Sequence, residues 1–433
     1  MSGIAKILLN RGIRVSGSDI SDSDVVEKLR SMGAQVYIGQ RASNIGNQDL
    51  VVYTSAVKDD NPELCAAREK GIETIDRATM LGRIMKNYTD NICVAGTHGK
   101  TTTTSMLAYI MLSACMDPTV MVGGKLDGID GNLRIGKSGY FLTETCEYMR
   151  NFLKFFPTAA IILNVEEDHL DYYRDIDDIK DAFHNFVMRL PKDGFAVVNA
   201  DNANAVDCVK GINAAVYTFG LGNADFSAQN IEFSPRGCPS FDIISDGKVF
   251  LHINLGVVGM HNVLNATACA LVAHKLGIDS ECIKKGLEEF HGTKRRFEKK
   301  GFVNGAVVID DYAHHPTEIA ATLGSLKKIE HKNIWCIFQP HTYTRTYTLF
   351  DEFVRVLSDA GNVIITDIYA AREKDTGLIN AKQLADKIDG AVYIKDFDDI
   401  ADYIRKNAAE GDIVLTVGAG NVCNIADMIV ENK

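Results

Sequence analysis

An α/β fold built mainly on parallel sheets is predicted by three features of this 433-residue chain. Short apolar runs rich in β-branched residues recur along it, amphipathic stretches of helical period lie between them, and polar residues crowd the loops that follow the runs. At roughly 150 residues per domain, the length predicts about three domains.

In order along the chain, Ser2 to Asn10 reads as a helix stopped at Gly12, followed by a strand at Ile13 to Ser16. Further strands are predicted at Leu50 to Tyr53, Ile92 to Val94, Phe141 to Thr143, Ala160 to Leu163 and Phe195 to Val198. The second half adds Val307 to Ile309, Ile334 to Phe338, Val363 to Thr366 and Ile413 to Val417. Between them, Ile176 to Leu190 repeats Ile176, Ile179, Phe183, Phe186, Val187 and Leu190 at helical spacing and is closed by Pro191.

Composition excludes several classes. A net charge of −11 argues against a nucleic-acid partner, since tracking a phosphate backbone needs clustered Lys and Arg. Ten cysteines are scattered from Cys65 to Cys423 without one C-x-x-C pair, so neither a zinc knuckle nor a disulfide framework is indicated, and a reducing cytoplasm fits. No apolar window reaches the roughly 18 residues of a membrane span, and the opening MSGIAKILLN is too short for a secretory signal.

The most specific local feature is GTHGKTTTT at Gly96 to Thr104, where an apolar run breaks into a glycine loop and then a helix-competent stretch. Glycines let backbone N–H groups approach phosphate oxygens, and the helix start offers unsatisfied donors. Lys100 would then meet the β/γ phosphates of a nucleotide triphosphate and Thr101 a Mg²⁺ ion. The strict pattern wants glycine at Val94, so the loop is a shortened variant starting at Gly96; the alternative is an accidental GKT in a turn.

Four of the runs end in loops of high chemical density. Phe141 to Thr143 leads into Glu144 and Glu147; Ala160 to Leu163 into Asn164, Glu166, Asp168 and His169; Val307 to Ile309 into Asp310, Asp311, His314 and His315; Ile334 to Phe338 into Gln339, His341 and Arg345. Parallel sheets bind ligands beyond the carboxyl ends of their strands, whereas any single acidic residue there reads equally as a helix cap. Glu147 and the Asn164 to Asp171 cluster would meet Lys100 and Thr101 if their strands are neighbours, an oxygen-rich set suited to Mg²⁺. In VVGMHNVLNATA, Asn262 is either an N-cap or, with Asn265 one turn on, an amide that reads adenine.

These motifs together resemble the Mur ligases of peptidoglycan synthesis, and most closely those that add L-alanine to UDP-N-acetylmuramate. The resemblance rests on GTHGKTTTT, ETCEY at Glu144 to Tyr148, NVEEDHLDYY at Asn164 to Tyr173, GMHNVLNA at Gly259 to Ala266 and GTKRRF at Gly292 to Phe297. It continues in DDYAHHPTE at Asp310 to Glu318, QPHTYTR at Gln339 to Arg345 and GAGN at Gly418 to Asn421, so it spans essentially the whole chain.

The resemblance implies three domains: a Rossmann-like UDP-sugar domain over residues 1–88, a central P-loop ATPase-like domain over 89–294 and a Rossmann-like closing domain over 295–433. It implies ATP and Mg²⁺ as cofactors, an acyl phosphate route to the amide, and a cytoplasmic monomer or weak homodimer with no nucleic-acid or membrane partner. Carried over residue by residue, Gly96, Thr97, His98, Gly99, Lys100, Thr101 and Thr102 hold the phosphates, and Thr101, Glu147 and His169 hold metal. Asn262 and Asn265 would contact adenine, Arg296 a phosphate, and Asp311 the ribose or nucleotide. Tyr312, His314, His341 and Arg345 would surround the amino acid, with Arg345 on its carboxylate; Lys100, Glu147, His169, His314 and Arg345 are the catalytic set. Ser18 and Asp19, with Ser55 and Ala56, would remain of the UDP-sugar site, although plain turns account for both places equally.

Other residues carry blander readings. His315, before Pro316, packs or caps the next helix, and Lys294 and Arg295 form a solvated basic turn. Two departures from the family pattern stand out. Thr342 replaces an arginine common in other members, and the family's GMSGIA motif falls at Met1, so a first strand and its glycine-rich turn are expected to be missing. A start codon assigned to an internal methionine, or a shortened protein, would account for this. Two rival functions follow: a murein-recycling ligase that attaches a preformed peptide, and a nucleotide-binding protein inactive as a ligase.

Overall fold

The computed structural model describes residues 1–430 except Ser55, Asp130, Asp171 and Arg372. Its strands fall into a central sheet, a last sheet and two short N-terminal pairs.

The N-terminal strands are β1 (Ser16–Asp19), β2 (Gln35–Ile38), β3 (Leu50–Tyr53) and β4 (Glu73–Asp76). β1 pairs with β2 and β3 with β4, both in parallel, and the two pairs are not hydrogen-bonded to each other. The helix Ser2–Asn10 precedes them as expected, but the next strand begins at Ser16 rather than Ile13. Ile13 follows Gly12 at φ 76°, and its N–H caps the helix by bonding the Leu8 carbonyl, which delays the extended segment. Ile4 and Ile7 of this helix are buried against the central sheet beside Phe141 and Met121.

The central sheet contains β5 (Asp90–Ala95), β6 (Thr119–Leu126), β7 (Gly131–Arg134), β8 (Tyr140–Glu144) and β9 (Ala159–Ile162). It continues with β10 (Phe195–Asn199), β11 (Ala215–Gly220), β12 (Phe226–Phe233), β13 (Pro239–Ser245) and β14 (Lys248–Asn254). The order is β14-β13-β12-β11-β10-β9-β5-β8-β6-β7. β5 lies between β8 and β9, parallel to both, with Val94 opposite Glu144 and Ala95 opposite Ile162. The loops after these three strands therefore leave the sheet side by side. The edges depart from the expected parallel rule: β12, β13 and β14 form an antiparallel meander, and β7 runs antiparallel to β6. These edge strands interleave buried residues with half-buried or exposed ones, a weaker signal than the continuous apolar runs of the centre.

The helix Lys100–Ser113 packs on one face with the helix Met260–Lys275. The latter buries Ala266, Ala268, Ala270 and Ala273, small side chains that let it approach closely enough for Cys269 Sγ to reach the Thr103 carbonyl at 3.3 Å. On the opposite face the helix Ile176–Val187 buries Ile179, Phe183 and Phe186; it ends three residues before Leu190, which lies in the following turn.

The last sheet comprises β15 (Glu298–Val303), β16 (Ala306–Asp311), β17 (Ile334–Phe338), β18 (Asn362–Ile365), β19 (Val392–Tyr393) and β20 (Ile413–Val417), in the order β15-β16-β20-β17-β18-β19. β18 ends one residue before the predicted Thr366, whose hydroxyl instead donates to the Lys395 carbonyl. Asp311, Val417 and Phe338 lie in register, so the loops after β16 and β17 open at the same edge of the sheet.

Candidate active site

The glycine loop from Gly96 to Lys100 follows β5. Gly99 caps the helix at φ 87°, a conformation that favours glycine, and a Cβ there would lie 3.0 Å from Asn265 Oδ1. The loop is laced to the segment after β9: Thr97 N–H bonds the Asn164 carbonyl at 3.0 Å, His98 N–H bonds Asn164 Oδ1 at 2.7 Å, and Glu166 N–H bonds Thr97 Oγ1 at 2.9 Å. Thr102 lies half-buried in the first turn of the helix, whose free N–H groups form the anion-attracting end.

Lys100 Nζ lies 3.0 Å from both carboxylate oxygens of Glu147 and 3.0 Å from the Thr97 carbonyl. Burial pulls its pKa down, but Glu147 outweighs that and holds the ammonium above its ordinary value. Glu147 stands in a capping position before the 3₁₀ segment Tyr148–Lys154, yet its side chain caps nothing and is committed to Lys100. Thr101 Oγ1 donates to Glu144 Oε2 at 2.7 Å. That approach requires Gly123, where a Cβ would fall 2.0 Å from Glu144 Oε1. His169, held at φ 54°, places Nε2 4.0 Å from Glu147 Oε1.

No cluster of three or more His, Cys, Asp or Glu side chains poised for a metal occurs among the described residues. The donor set nevertheless fits Mg²⁺ in its chemistry. Glu147, Glu144 and the Thr101 hydroxyl are hard oxygen donors, and Thr101 spends its proton on Glu144, leaving its lone pairs free.

From the last sheet, Arg345 reaches back to the central loops. Its Nη2 donates to Asp168 Oδ1 at 2.8 Å and its Nη1 to His341 Nδ1 at 3.2 Å. Asp168 is buried, which would raise its pKa, but His169 and Arg345 beside it hold the carboxyl well below the usual range. His341, stacked on Tyr369, is pushed down to about 3 by burial and by the neighbouring His314 and Arg345. His314 donates from Nδ1 to the Tyr312 carbonyl at 3.0 Å, and burial lowers its pKa, so Nε2 carries the lone pair. Tyr312 lies edge-on to His314 and under the guanidinium groups of Arg295 and Arg296.

A second bridge crosses the same junction. His98 Nδ1 lies 3.1 Å from Glu318 Oε1 and its Nε2 3.5 Å from Glu166 Oε2. Burial disfavours the imidazolium, but Glu318 and Glu166 override it and raise the pKa to about 9. Glu318 also accepts from the His314 backbone N–H at 3.0 Å and stands 4.0 Å from Arg296 Nη1.

Models of all three Mur ligase units match the chain: the "Mur ligase family, catalytic domain" over residues 1–89, the "Mur ligase middle domain" over 94–273 and the "Mur ligase, glutamate ligase domain" over 295–420. The UDP-N-acetylmuramate--L-alanine ligase of Clostridium botulinum strain Okra is 48% identical over 435 residues, covering 100% of this chain and 95% of that protein. The chain belongs to the Mur ligase family. The ligase of the same name from Acetivibrio thermocellus is 49% identical, covering 100% of this chain and 94% of its own. Among solved structures, the UDP-N-acetylmuramate-alanine ligase MurC of Thermotoga maritima superposes with a TM-score of 0.83 at 29% identity, covering 99% of this chain and 95% of that one. A murein peptide ligase of Psychrobacter arcticus gives 0.74 at 26% identity, with the same coverages.

Within this Mur ligase, Lys100, Thr101, Glu147 and His169 are brought together at the central sheet, and Tyr312, His314, His341 and Arg345 at the last one. Asn262 does not cap its helix. Gly259 holds the cap position, while Asn262 Nδ2 donates to the Val258 carbonyl at 2.7 Å and Oδ1 accepts from Asn265 at 3.1 Å. Asp311 is buried, its carboxyl pushed up to about 6 by that burial, and accepts from Ala313 N–H and Thr322 Oγ1. Ser18 donates to Glu63 at 2.7 Å, Asp19 accepts from Ser21 N–H, Ala56 is exposed after β3, and Ser55 lies outside the described residues.

Arg295 is not a solvated turn residue. It donates to Asp310 at 3.1 Å and to the carbonyls of Gly418 and Gly420, pinning the linker to the last sheet, whereas Lys294 remains half-exposed beside Glu298. Sequence reasoning gave no role to Glu318 or Glu144 and none to Asp168 as the partner of Arg345. Glu318 had a signal, since a glutamate three residues after the His315 cap forms a capping box.

Proposed function

We propose that this Mur ligase joins L-alanine to the lactyl carboxylate of UDP-N-acetylmuramate at the expense of ATP, in peptidoglycan precursor synthesis. One observation carries the reading: Arg345 of the last sheet meets Asp168 of the central loops, within the same cluster of loops as the Lys100–Glu147 pair. Lys100 read as a phosphate ligand and Arg345 read as a carboxylate ligand, on adjoining loops, support a ligase, since ATP hydrolysis alone would not need the second.

The phosphate loop from Gly96 to Thr102 holds the triphosphate, with Lys100 on the transferring phosphoryl group, Arg296 on a phosphate, and Asp311 on the ribose. Asn262 and Asn265 contact adenine. The substrate carboxylate oxygen bonds to the γ-phosphorus as the bridging P–O bond breaks, ADP leaves with that electron pair, and Lys100 offsets the charge on the phosphoryl oxygens. Arg345 then fixes the carboxylate of alanine beside Tyr312 and His341. The neutral His314 takes one proton from the ammonium at Nε2; the freed amine attacks the acyl carbon, the C–O bond to phosphate breaks with its electron pair leaving on phosphate, and the second amine proton departs with that phosphate. Thr101, Glu147 and His169 are the residues that would hold Mg²⁺, with Glu144 behind Thr101. When bound, the ion supplies charge neutralisation between the phosphates.

The units over residues 1–88, 89–294 and 295–433 would contribute the UDP-sugar, the nucleotide and the closing groups, with Ser18, Asp19, Ser55 and Ala56 on the sugar nucleotide. The test is phosphate release from ATP with UDP-N-acetylmuramate and either L-alanine or a tripeptide. Alanine-dependent release supports the assignment. Turnover with the tripeptide and none with alanine replaces it by the recycling activity, and none with either leaves only a nucleotide-binding protein.

A further inference from the structure

His315 begins the helix Pro316–Leu326, and its ring does more than cap it. Thr317 N–H donates to His315 Nδ1 at 3.3 Å, so Nδ1 must present a lone pair. In a neutral imidazole the proton then sits on Nε2. The residue is only 7% exposed, and Nε2 has no hydrogen-bond partner in the structure. Burial and the neighbouring His98 keep the ring neutral, with a pKa near 4. Capping thus fixes the tautomer and leaves a buried donor without an acceptor, which folded proteins avoid unless a ligand supplies one.

The surroundings say which ligand. The His315 ring lies 5.1 Å from that of His98, the loop residue directly before Gly99 and Lys100. Three carboxylates lie near it and each is already engaged: Asp168 by Arg345, Glu318 by His98 and the backbone of His314, and Glu166 by His98 and Thr317. The cations around it, Arg345 and His98, favour an anion between the loop and the last sheet.

We infer that His315 Nε2 donates a hydrogen bond to an anionic oxygen of the transferring phosphoryl group, so that this histidine is a ligand contact as well as a helix cap. The inference rests on reading the loop as a nucleotide site. The proton stays on His315 throughout; its role is to hold an oxygen from the side of the last sheet while the loop holds others.

Two substitutions separate the roles. In His315→Asn the side-chain oxygen keeps the cap and the Nε2 donor is lost; in His315→Gln a donor is restored near the Nε2 position and the cap is weakened. The probe is ADP with orthovanadate, a mimic of the transferring phosphoryl group, measured against ADP alone by calorimetry on the full chain with Mg²⁺. The expected result for His315→Asn is an unchanged melting temperature, unchanged ADP affinity and at least a tenfold loss of the vanadate-dependent gain. His315→Gln is expected to melt lower and keep most of that gain. Full vanadate enhancement in His315→Asn would overturn the contact. Wild-type chain that binds ADP but gains nothing from vanadate would overturn it too, while leaving the nucleotide site standing. Wild-type chain that binds neither ADP nor ATP would overturn both.

Discussion

The N-terminal pairs and the centre of the large sheet are both built from parallel strands, but they are held to different degrees. β5, β8 and β9 are almost wholly buried and hydrogen-bonded to a neighbour on both sides. β1 to β4 are four residues each, hold one buried residue between them, Ile75, and have one partner apiece. Large apolar side chains follow the same division, with Ile13, Ile20, Val25, Met32 and Ile38 exposed in the N-terminal region. The difference teaches where precision resides: the Gly96–Lys100 loop and its acidic partners sit on fully paired, buried strands, and the N-terminal loops do not.

The sharpest way to break this comparison is to empty the rigid site. Lys100→Ala should reduce phosphate release by at least about 10²–10³-fold, the scale of one lost transition-state donor. It should also lower the melting temperature, because Glu147 is left buried and unpaired. Retained turnover would mean that the loop does not carry the chemistry.

The next largest effect is local opening. Amide hydrogens of β1 to β4 should exchange orders of magnitude faster than those of β5, β8 and β9, read by hydrogen-exchange mass spectrometry. Equal protection would show that the N-terminal pairs are as firmly held as the central sheet.

Arg345→Ala should raise the alanine concentration needed for half-maximal rate by about 10–100-fold, the value of one or two hydrogen bonds to a charged group. ATP affinity should barely move, since Arg345 touches Asp168 and His341 rather than the loop. An effect confined to ATP would reassign this arginine to the nucleotide.

The smallest effect is the pH dependence of the His98 bridge. The folded-state pKa of about 9 lies above the ordinary histidine value, so its stabilisation is fully present below about pH 6.5 and is lost as pH rises through 9. Melting temperature should therefore fall across that window more steeply in wild type than in His98→Asn. Parallel curves would show that the bridge to Glu318 and Glu166 contributes nothing.

Much of this protein was legible without coordinates. Continuous β-branched runs marked the central strands of both large sheets, because strands buried on both faces must be apolar throughout. Glycine, lysine and threonine after such a run marked the turn into the helix Lys100–Ser113, because Gly99 takes a backbone conformation that favours glycine. The antiparallel edges gave no continuous apolar run, because their buried residues are interleaved with half-buried or exposed ones.

What only the tertiary structure decided is which charges meet. Glu318 and Arg296 lie at ordinary positions after strands and turns, and nothing local tells that one faces His98 from another sheet or that Arg295 binds Asp310 while Arg296 does not. Asn262 has a cap's composition but a helix-interior position, a distinction set by where Gly259 turns the chain. The sequence determined the elements and the residue types at their ends, since these follow from hydrophobic period and backbone freedom within a few residues. Partnership across the cleft depended on strand order and on the packing of one sheet against another, and no local propensity encodes either.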